Sequence, residues 1–178
     1  MKSIAVFCGA NPGNHPAYMQ IARETGAFLA RQGIRVVYGG ASIGMMGAIA
    51  DGALEQGGEV VGVIPDFMTD REINHKGLTR LVIVSSMNER KLEMARLSDG
   101  FIALPGGYGT LDELFEMITL VQIEQAAYPI GILNANGFYD HLLAHIQHME
   151  QTGFLRQRKP LFEVSDNLED LLTKMRRV

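Results

Sequence analysis

The chain has 178 residues, of which 47% are hydrophobic and 20% charged, and this balance predicts one soluble globular domain, 1–178, rather than two. The formal net charge of −4 argues weakly against nucleic acid as the main partner, and no apolar run approaches the roughly 20 residues of a membrane span. The only cysteine, Cys8, excludes an internal disulfide, and because no secretion leader opens the chain we expect a cytoplasmic protein without membrane contact.

Short apolar segments rich in β-forming residues recur along the chain and predict its strands. They cover residues 4–8, 35–39, 60–64, 81–85, 101–105 and 129–133, with a seventh candidate at 161–164. Segments with helical spacing alternate with them, at 17–32, 45–56, 87–97, 111–123, 138–150 and 167–176. Because the strand segments are apolar throughout, they indicate a parallel sheet buried on both faces. The pattern predicts the α/β class, as a Rossmann-like, doubly wound, mostly parallel sheet with helices on both faces.

One polar segment, residues 65–80, breaks this alternation and has no clear periodicity. It follows the third strand, so it is expected at the carboxyl edge of the sheet, where α/β proteins bind their ligands. Long loops in compact domains are usually functional or mobile. We therefore expect this loop to lie near a ligand site.

Three glycine-bearing turns follow strands: CGANPG at 8–13, GGASIGMMG at 39–47 and PGGYGT at 105–110. A single turn of this kind can serve backbone geometry alone, because glycine adopts positive φ without strain. Three turns in register, each between a strand and a helix, instead predict one nucleotide or sugar-phosphate site. The second turn lacks the Lys-Ser/Thr of a triphosphate loop, and no turn has the dinucleotide fingerprint, so a monophosphate and no cofactor are expected.

The third turn leads into a helix that carries carboxylates. Thr110 and Glu113 have the T-x-x-E spacing of a capping box, which requires no catalysis. The alternative is that Glu113 holds the sugar hydroxyls of a bound ligand, since a carboxylate placed beside a phosphate needs another task. Glu116, one helical turn further on, is expected behind the site or in solvent.

The segment MNERK at 87–91 opens the preceding helix with two cations, Arg90 and Lys91. Cations near a helix N-terminus oppose the peptide dipoles, so they carry a small local penalty. They either form a surface salt bridge or, on the same edge as the glycine turns, grip an anion.

Two other signals are discounted. His141, His145 and His148 share one helix face, but no cysteine or well-placed carboxylate completes a metal site beside them. Cys8 ends a buried strand without an evident histidine partner, so we do not expect it to be a nucleophile.

The motif PGGYGTLDE at 105–113 resembles P-G-G-x-G-T-x-x-E, the signature of the LOG family of cytokinin riboside 5′-monophosphate phosphoribohydrolases. MNERK resembles the Arg-Lys motif of that family and GGASIGMMG its second glycine turn. The likeness runs from VFCGA to the helix around Thr119, roughly two thirds of the chain. The first turn departs from it, because Ala10 and Asn11 stand where family members usually have serines.

The resemblance implies hydrolysis of the N-glycosidic bond of an adenosine 5′-monophosphate, often N6-substituted, to a free base and ribose 5-phosphate. It also implies a homodimer without metal or organic cofactor, and Arg90 and Glu113 as the catalytic pair. Substrate binding is carried over to Glu72, Arg90, Lys91, Gly107, Tyr108, Gly109, Thr110, Leu111, Asp112, Glu113 and Thr119. Many relatives are labelled lysine decarboxylases, a label that this sequence does not support. A non-enzymatic nucleotide carrier and a purely structural domain are the alternatives.

Overall fold

The computed structural model describes residues 1–71, 74–155 and 159–177, and this part of the chain forms seven strands and six α-helices. The strands are β1 Ser3–Phe7, β2 Arg35–Tyr38, β3 Val60–Pro65, β4 Arg80–Val84, β5 Phe101–Ala103, β6 Ile130–Leu133 and β7 Glu163–Ser165. The helices are α1 Pro16–Arg31, α2 Gly44–Glu55, α3 Met87–Arg96, α4 Tyr108–Gln122, α5 Asp140–Gln151 and α6 Leu168–Met175. The predicted alternation of strand and helix is confirmed, including the seventh strand.

All seven strands lie parallel in one sheet, in the order β4-β3-β2-β1-β5-β6-β7. The order reverses between β1 and β5, whose registers pair Val6 with Ile102. A crevice opens at such a switch point because the connections on its two sides leave toward opposite faces of the sheet. The predicted Rossmann-like, doubly wound fold is therefore confirmed.

Both faces of the sheet are covered, which explains why the strands are apolar throughout. Ile4 and Val6 of β1 pack in the cluster that contains residues of α1, α2 and α6. Ala5 and Phe7, which point the other way, pack with residues of α3, α4 and α5. The strands thus carry no polar face toward solvent in the centre of the sheet.

The helices α1 and α2 meet backbone to backbone through two glycines. A Cβ atom on Gly26 would overlap the carbonyl oxygen of Ile49, and one on Gly52 would overlap the carbonyl oxygen of Arg23. This close packing fixes how α1 and α2 lie against each other.

Two details differ from the sequence-based expectation. The polar loop begins with a 3-10 helix, Asp66–Arg71, because residues without helical periodicity can still form a short turn of this kind. Helix α4 begins at Tyr108, three residues before the predicted start. No helix in the described ranges is long and apolar enough to cross a membrane. The cytoplasmic location and the homodimer stay predictions.

Candidate active site

The three glycine turns touch one another at the carboxyl edge of the sheet. The amide of Gly9 donates to the carbonyl oxygen of Pro105 at 3.1 Å, which joins the first turn to the third. Gly44 has φ of 57°, and a Cβ atom there would overlap the carbonyl oxygen of Ala10, so the second turn lies against the first. The convergence predicted from the sequence is confirmed.

The turns enclose a cavity of about 530 Å³. Its lining comprises Val6, Cys8, Gly9, Ala10, Asn11, Gly13, Asn14, Tyr18, Gly39, Met45, Met46, Arg90, Pro105, Gly106, Gly107, Gly109, Thr110, Glu113 and Phe138. This volume lies within the range of small-ligand sites, and its position at the switch point between β1 and β5 is the usual one for α/β folds.

One wall of the cavity is the N-terminus of α4. Gly107 is the N-cap residue, and the first amides of a helix have no partner within the helix. Apart from chain neighbours and the backbone of the helix itself, no atom of the described residues lies within 4 Å of where a Cβ would stand on Gly107 or Gly109, so a ligand can approach this backbone closely. An anion is favoured here by the free amides and by the helix dipole.

The capping-box alternative for Thr110 and Glu113 is wrong. Because α4 already begins at Tyr108, Thr110 lies inside the first turn of the helix and does not cap it. The Thr110 side chain is buried against Gly106, where a Cβ atom would collide with its hydroxyl oxygen. The glycine at position 107 took the cap position that sequence spacing assigned to the threonine.

Arg90 and Glu113 form a buried ion pair in the cavity wall. Nη1 of Arg90 donates to Oε1 of Glu113 at 3.0 Å, and the two side chains are 10% and 9% exposed. Nε of Arg90 donates to the carbonyl oxygen of Val63 at 3.0 Å, which anchors the guanidinium above β3. The surface salt-bridge alternative is therefore wrong for Arg90, whose cation faces the cavity with the glycine turns.

Burial dominates the electrostatics of Glu113 and raises its pKa from 4.5 to about 7. The positive charges of Arg90 and Lys91 lower this pKa, while the negative charges of Asp112 and Glu116 raise it. The carboxyl thus titrates near neutral pH, where a group can change its charge state at little cost. Titration in this range is a feature of catalytic carboxyls.

Cys8 lies buried beside this pair. Burial raises the pKa of its thiol, and the negative charge of Glu113 raises it further, against a smaller opposite effect of Arg90. The thiol is held neutral, which agrees with the expectation that Cys8 is not a nucleophile.

Four other candidate residues do not line the cavity. Lys91, Leu111, Asp112 and Thr119 line a separate shallow depression between α3 and α4. Lys91 Nζ lies 3.0 Å from an Asp112 oxygen and 2.6 Å from a Glu116 oxygen, and these contacts raise the pKa of the lysine. The predicted place of Glu116 behind the site agrees with this pairing.

Two further candidates have other positions. The Tyr108 side chain is 93% exposed at the start of α4. Glu72 lies outside the described residues, as does its immediate neighbour at position 73. His141, His145 and His148 are exposed on α5, and the described ranges contain no cluster of three or more metal-ligating side chains. The absence of a metal stays a prediction.

Sequence reasoning missed several cavity residues. Tyr18 and Phe138 meet edge to face with ring centres 5.9 Å apart, and Met46 also lines the cavity. These residues come from α1, α2 and the loop before α5, and no local pattern distinguishes them from core residues. Ala10 and Asn11 do line the cavity, so the first turn reaches it without the hydroxyls usual in the family.

An anion-accepting helix terminus and a buried charged pair in one switch-point crevice are typical of α/β proteins that bind nucleotides or sugar phosphates. The family model described as "Possible lysine decarboxylase" matches residues 46–175. A cytokinin riboside 5′-monophosphate phosphoribohydrolase of Rhodococcoides fascians is 48% identical over 155 residues, which are 86% of this chain and 78% of the relative. Another, of Arabidopsis thaliana, is 40% identical over 98% of this chain and 77% of its own length. The chain belongs to this family, the LOG family that its motifs predicted.

A solved structure extends the comparison of the fold. The molybdenum cofactor binding protein from the phototrophic bacterium Rippkaea orientalis superposes with a TM-score of 0.72 over 98% of this chain and 95% of that chain. The identity is 20%, so this likeness concerns the fold alone.

Proposed function

We propose that this protein is a hydrolase of the N-glycosidic bond of adenosine 5′-monophosphates, including N6-substituted ones, and that it releases an adenine-type base and ribose 5-phosphate. The observation that carries the proposal is the buried Arg90–Glu113 pair, which lines the same cavity as the anion-accepting start of α4. Relatives at 40% and 48% identity that are named for this activity support it.

The 5′-phosphate is held by the third glycine turn. The open backbone at Gly107 and Gly109 lets its oxygens approach the free amides, and the hydroxyl of Thr110 lies in the same wall. The helix dipole adds to this attraction. Glu113 follows Thr110 by one helical turn, which is about the distance from a 5′-phosphate to the sugar ring.

Glu113 acts on the ribose. Loss of the base gives the sugar oxocarbenium character, and an anion close to the anomeric carbon stabilises that transition state. The carboxylate also orients the ribose hydroxyls and the attacking water. Water then supplies hydroxide to the anomeric carbon and a proton to the departing nitrogen. The reaction therefore consumes no reactant other than the substrate and water.

Arg90 acts on the departing base, whereas Glu113 acts on the ribose. Its guanidinium is fixed by Val63 and Glu113, so it is preorganised before substrate binds. It draws electron density toward the departing base and keeps Glu113 partly ionised. This mechanism uses no metal or organic cofactor, and we propose none.

We also propose the homodimer that the family resemblance implies, with residues 1–178 as one catalytic unit in each subunit. The depression that contains Lys91 and Thr119 adjoins exposed apolar side chains, Leu92 and Ile123, each 55% exposed. A second subunit on this face would cover these side chains. In such a dimer Lys91, Leu111, Asp112 and Thr119 would lie between the subunits, near the substrate of the partner subunit. Light scattering should give twice the chain mass of 19.6 kDa, and a monomer at micromolar concentration would contradict the proposal.

The activity is tested by incubating the protein with AMP and with N6-isopentenyl AMP, and by following free base and ribose 5-phosphate by chromatography. Release from either establishes the hydrolase, and the ratio of the two rates gives the preference for the base. Adenosine, which lacks the phosphate, should be a poor substrate because the α4 terminus then binds nothing. Glu113→Gln should lose at least about 100-fold in kcat, whereas Glu150→Gln on the exposed side of α5 should not. Binding without release by the wild type would favour the nucleotide carrier instead.

A further inference from the structure

The guanidinium of Arg90 has contacts on three sides, and the third is a glycine. Nε is bound by the Val63 carbonyl oxygen and Nη1 by Glu113. A Cβ atom on Gly39 would overlap Nη2 of Arg90 and would lie only 3.1 Å from its Cζ. Real Cβ atoms essentially never approach another heavy atom below 3.0 Å, so any side chain at position 39 displaces the guanidinium or the strand.

Position 39 requires a glycine because there is no room for a side chain, and not because of its backbone conformation. Its neighbours in the second turn, Gly40 and Gly44, have φ of 80° and 57°, which L-residues adopt only with strain. Gly39 is outside the positive-φ region, so alanine could adopt its backbone angles. A substitution at this position therefore tests the space occupied by Arg90 separately from backbone strain.

We propose that Gly39 is a positioning residue of the active site, whose bare Cα forms the third side of the slot that aims the Arg90 guanidinium at Glu113 and the cavity. The proposal rests on the proposed function in so far as Arg90 acts on the substrate. Its geometric part, the slot itself, stands apart from that function.

A methyl group at position 39 has few ways to be accommodated. Tyr38, the preceding residue, is fully buried in β2 and donates its hydroxyl to the Ala41 carbonyl oxygen at 3.2 Å, so the strand end is held on both sides. Met46 Sδ would lie 2.9 Å from the new carbon, but a methionine side chain can move aside. The guanidinium is then the group that yields, and it leaves Glu113.

The experiment is a double-mutant cycle of Gly39→Ala with Arg90→Ala. Gly39→Ala alone should lower kcat for AMP by about 100-fold, the usual cost of losing one preorganised transition-state contact, with a smaller change in KM. In the Arg90→Ala background the same substitution should have no further effect. Gly100→Ala, at the amino end of β5, is the matched control, because its Cβ would lie 3.0 Å from neighbouring atoms that are not in the site. Its effects should be the same in both backgrounds.

A second readout separates positioning from general damage. The charged and titratable groups that act on Glu113 are Arg90 and Lys91 from α3, Asp112 and Glu116 from α4, and Cys8 after β1. Of these groups, Arg90 is the one that Gly39→Ala displaces, so the residual activity should have its acidic limb at higher pH than in the wild type. A merely structural defect would lower the amplitude and leave this limb in place.

If Gly39→Ala alone fails to fold, stability decides the matter. Removing the Arg90 side chain empties the slot, so Gly39→Ala should lower the urea midpoint much less in the Arg90→Ala background than in the wild type. The inference is overturned if Gly39→Ala keeps activity within about twofold of the wild type, if its loss of activity is equally large without Arg90, or if it lowers the urea midpoint as much in the Arg90→Ala background as in the wild type. Failure of the wild type to release base overturns the proposed function, and the stability comparison still tests the slot.

Discussion

Replacement of Glu113 by glutamine should change how the stability of the protein depends on pH. Glutamine keeps the shape of the side chain and one oxygen to accept from Arg90, but it cannot ionise. In the wild type, burial raises the pKa of Glu113 from 4.5 to about 7. At pH values between 4.5 and about 7, Glu113 is therefore protonated in the native state and ionised in the unfolded chain.

The sign and size of the effect follow from proton linkage. Because the native state binds more protons than the unfolded state over this window, the free energy of unfolding of the wild type falls as pH rises from about 4.5 to about 7. The full rise in pKa corresponds to roughly 3 kcal/mol at 1.36 kcal/mol for each pH unit. The variant lacks this loss, so its stability relative to the wild type should increase by about 2–3 kcal/mol between pH 5 and pH 8.

The assay is urea unfolding without ligand at pH 5, 6, 7 and 8, followed by circular dichroism. Taking the difference between variant and wild type at each pH cancels the titration of all other groups. Glu150→Gln, an exposed substitution on α5, provides the baseline for exchanging a carboxyl for an amide. A constant difference for Glu113→Gln would mean that Arg90 fully offsets burial, and a difference that falls with pH would mean that Arg90 outweighs burial. Either result would make the electrostatic description of the site wrong.

Three further predictions concern the pH dependence of activity and the stability of the fold. In the proposed mechanism Glu113 works as a carboxylate, so kcat/KM for AMP should rise with pH through about 7 and then level off in a pH–rate profile. A fall in kcat/KM over this range would mean that the protonated form of Glu113 is active. Tyr139→Phe removes the buried bond from the tyrosine hydroxyl to the Leu104 carbonyl oxygen at 2.6 Å, and it should cost about 1–2 kcal/mol in urea unfolding; no loss would mean that the bond contributes nothing. Gly26→Ala forces α1 away from the Ile49 carbonyl oxygen and should cost about 1–3 kcal/mol or more by the same method, and an unchanged midpoint would show that the two helices have room to spare.

Much of the fold could be predicted because its signals are local. Continuous apolar strands, helical spacing between them and glycine turns after three strands were enough for the sheet and for the convergence of the turns. The start of α4 was wrong because Thr110 has the residue type of an N-cap, while Gly107 can occupy that position without a side chain. Cap position depends on where the chain leaves β5, which residue type alone does not specify.

The contact between Arg90 and Glu113 could not be predicted from spacing, since the two residues are 23 positions apart in the sequence and a strand lies between them. The sequence indicated that both belong to one edge of the sheet, and the family motif named both. Their burial, the raised pKa of Glu113 and the slot at Gly39 depend on three elements packing around one guanidinium. Such features arise from tertiary packing. From the sequence alone, the two charged residues therefore cannot be distinguished from surface groups.

The layout of charges explains why a cation must lie between these elements. A phosphate at the start of α4 and a carboxylate one turn further on repel each other by roughly 3 kcal/mol per unit charge at about 6 Å and an effective dielectric constant near 20. In the proposed function, that repulsion would raise the pKa of Glu113 above the value of about 7 that burial and the neighbouring charges set together, and a protonated Glu113 would present a neutral group to the oxocarbenium ion. Arg90 acts against this rise, because its guanidinium lies 3.0 Å from the Glu113 carboxyl and lowers its pKa. In the proposed mechanism the guanidinium therefore offsets only part of the repulsion between a bound phosphate and Glu113, and the pKa of this carboxyl should be higher with a bound phosphate than without one.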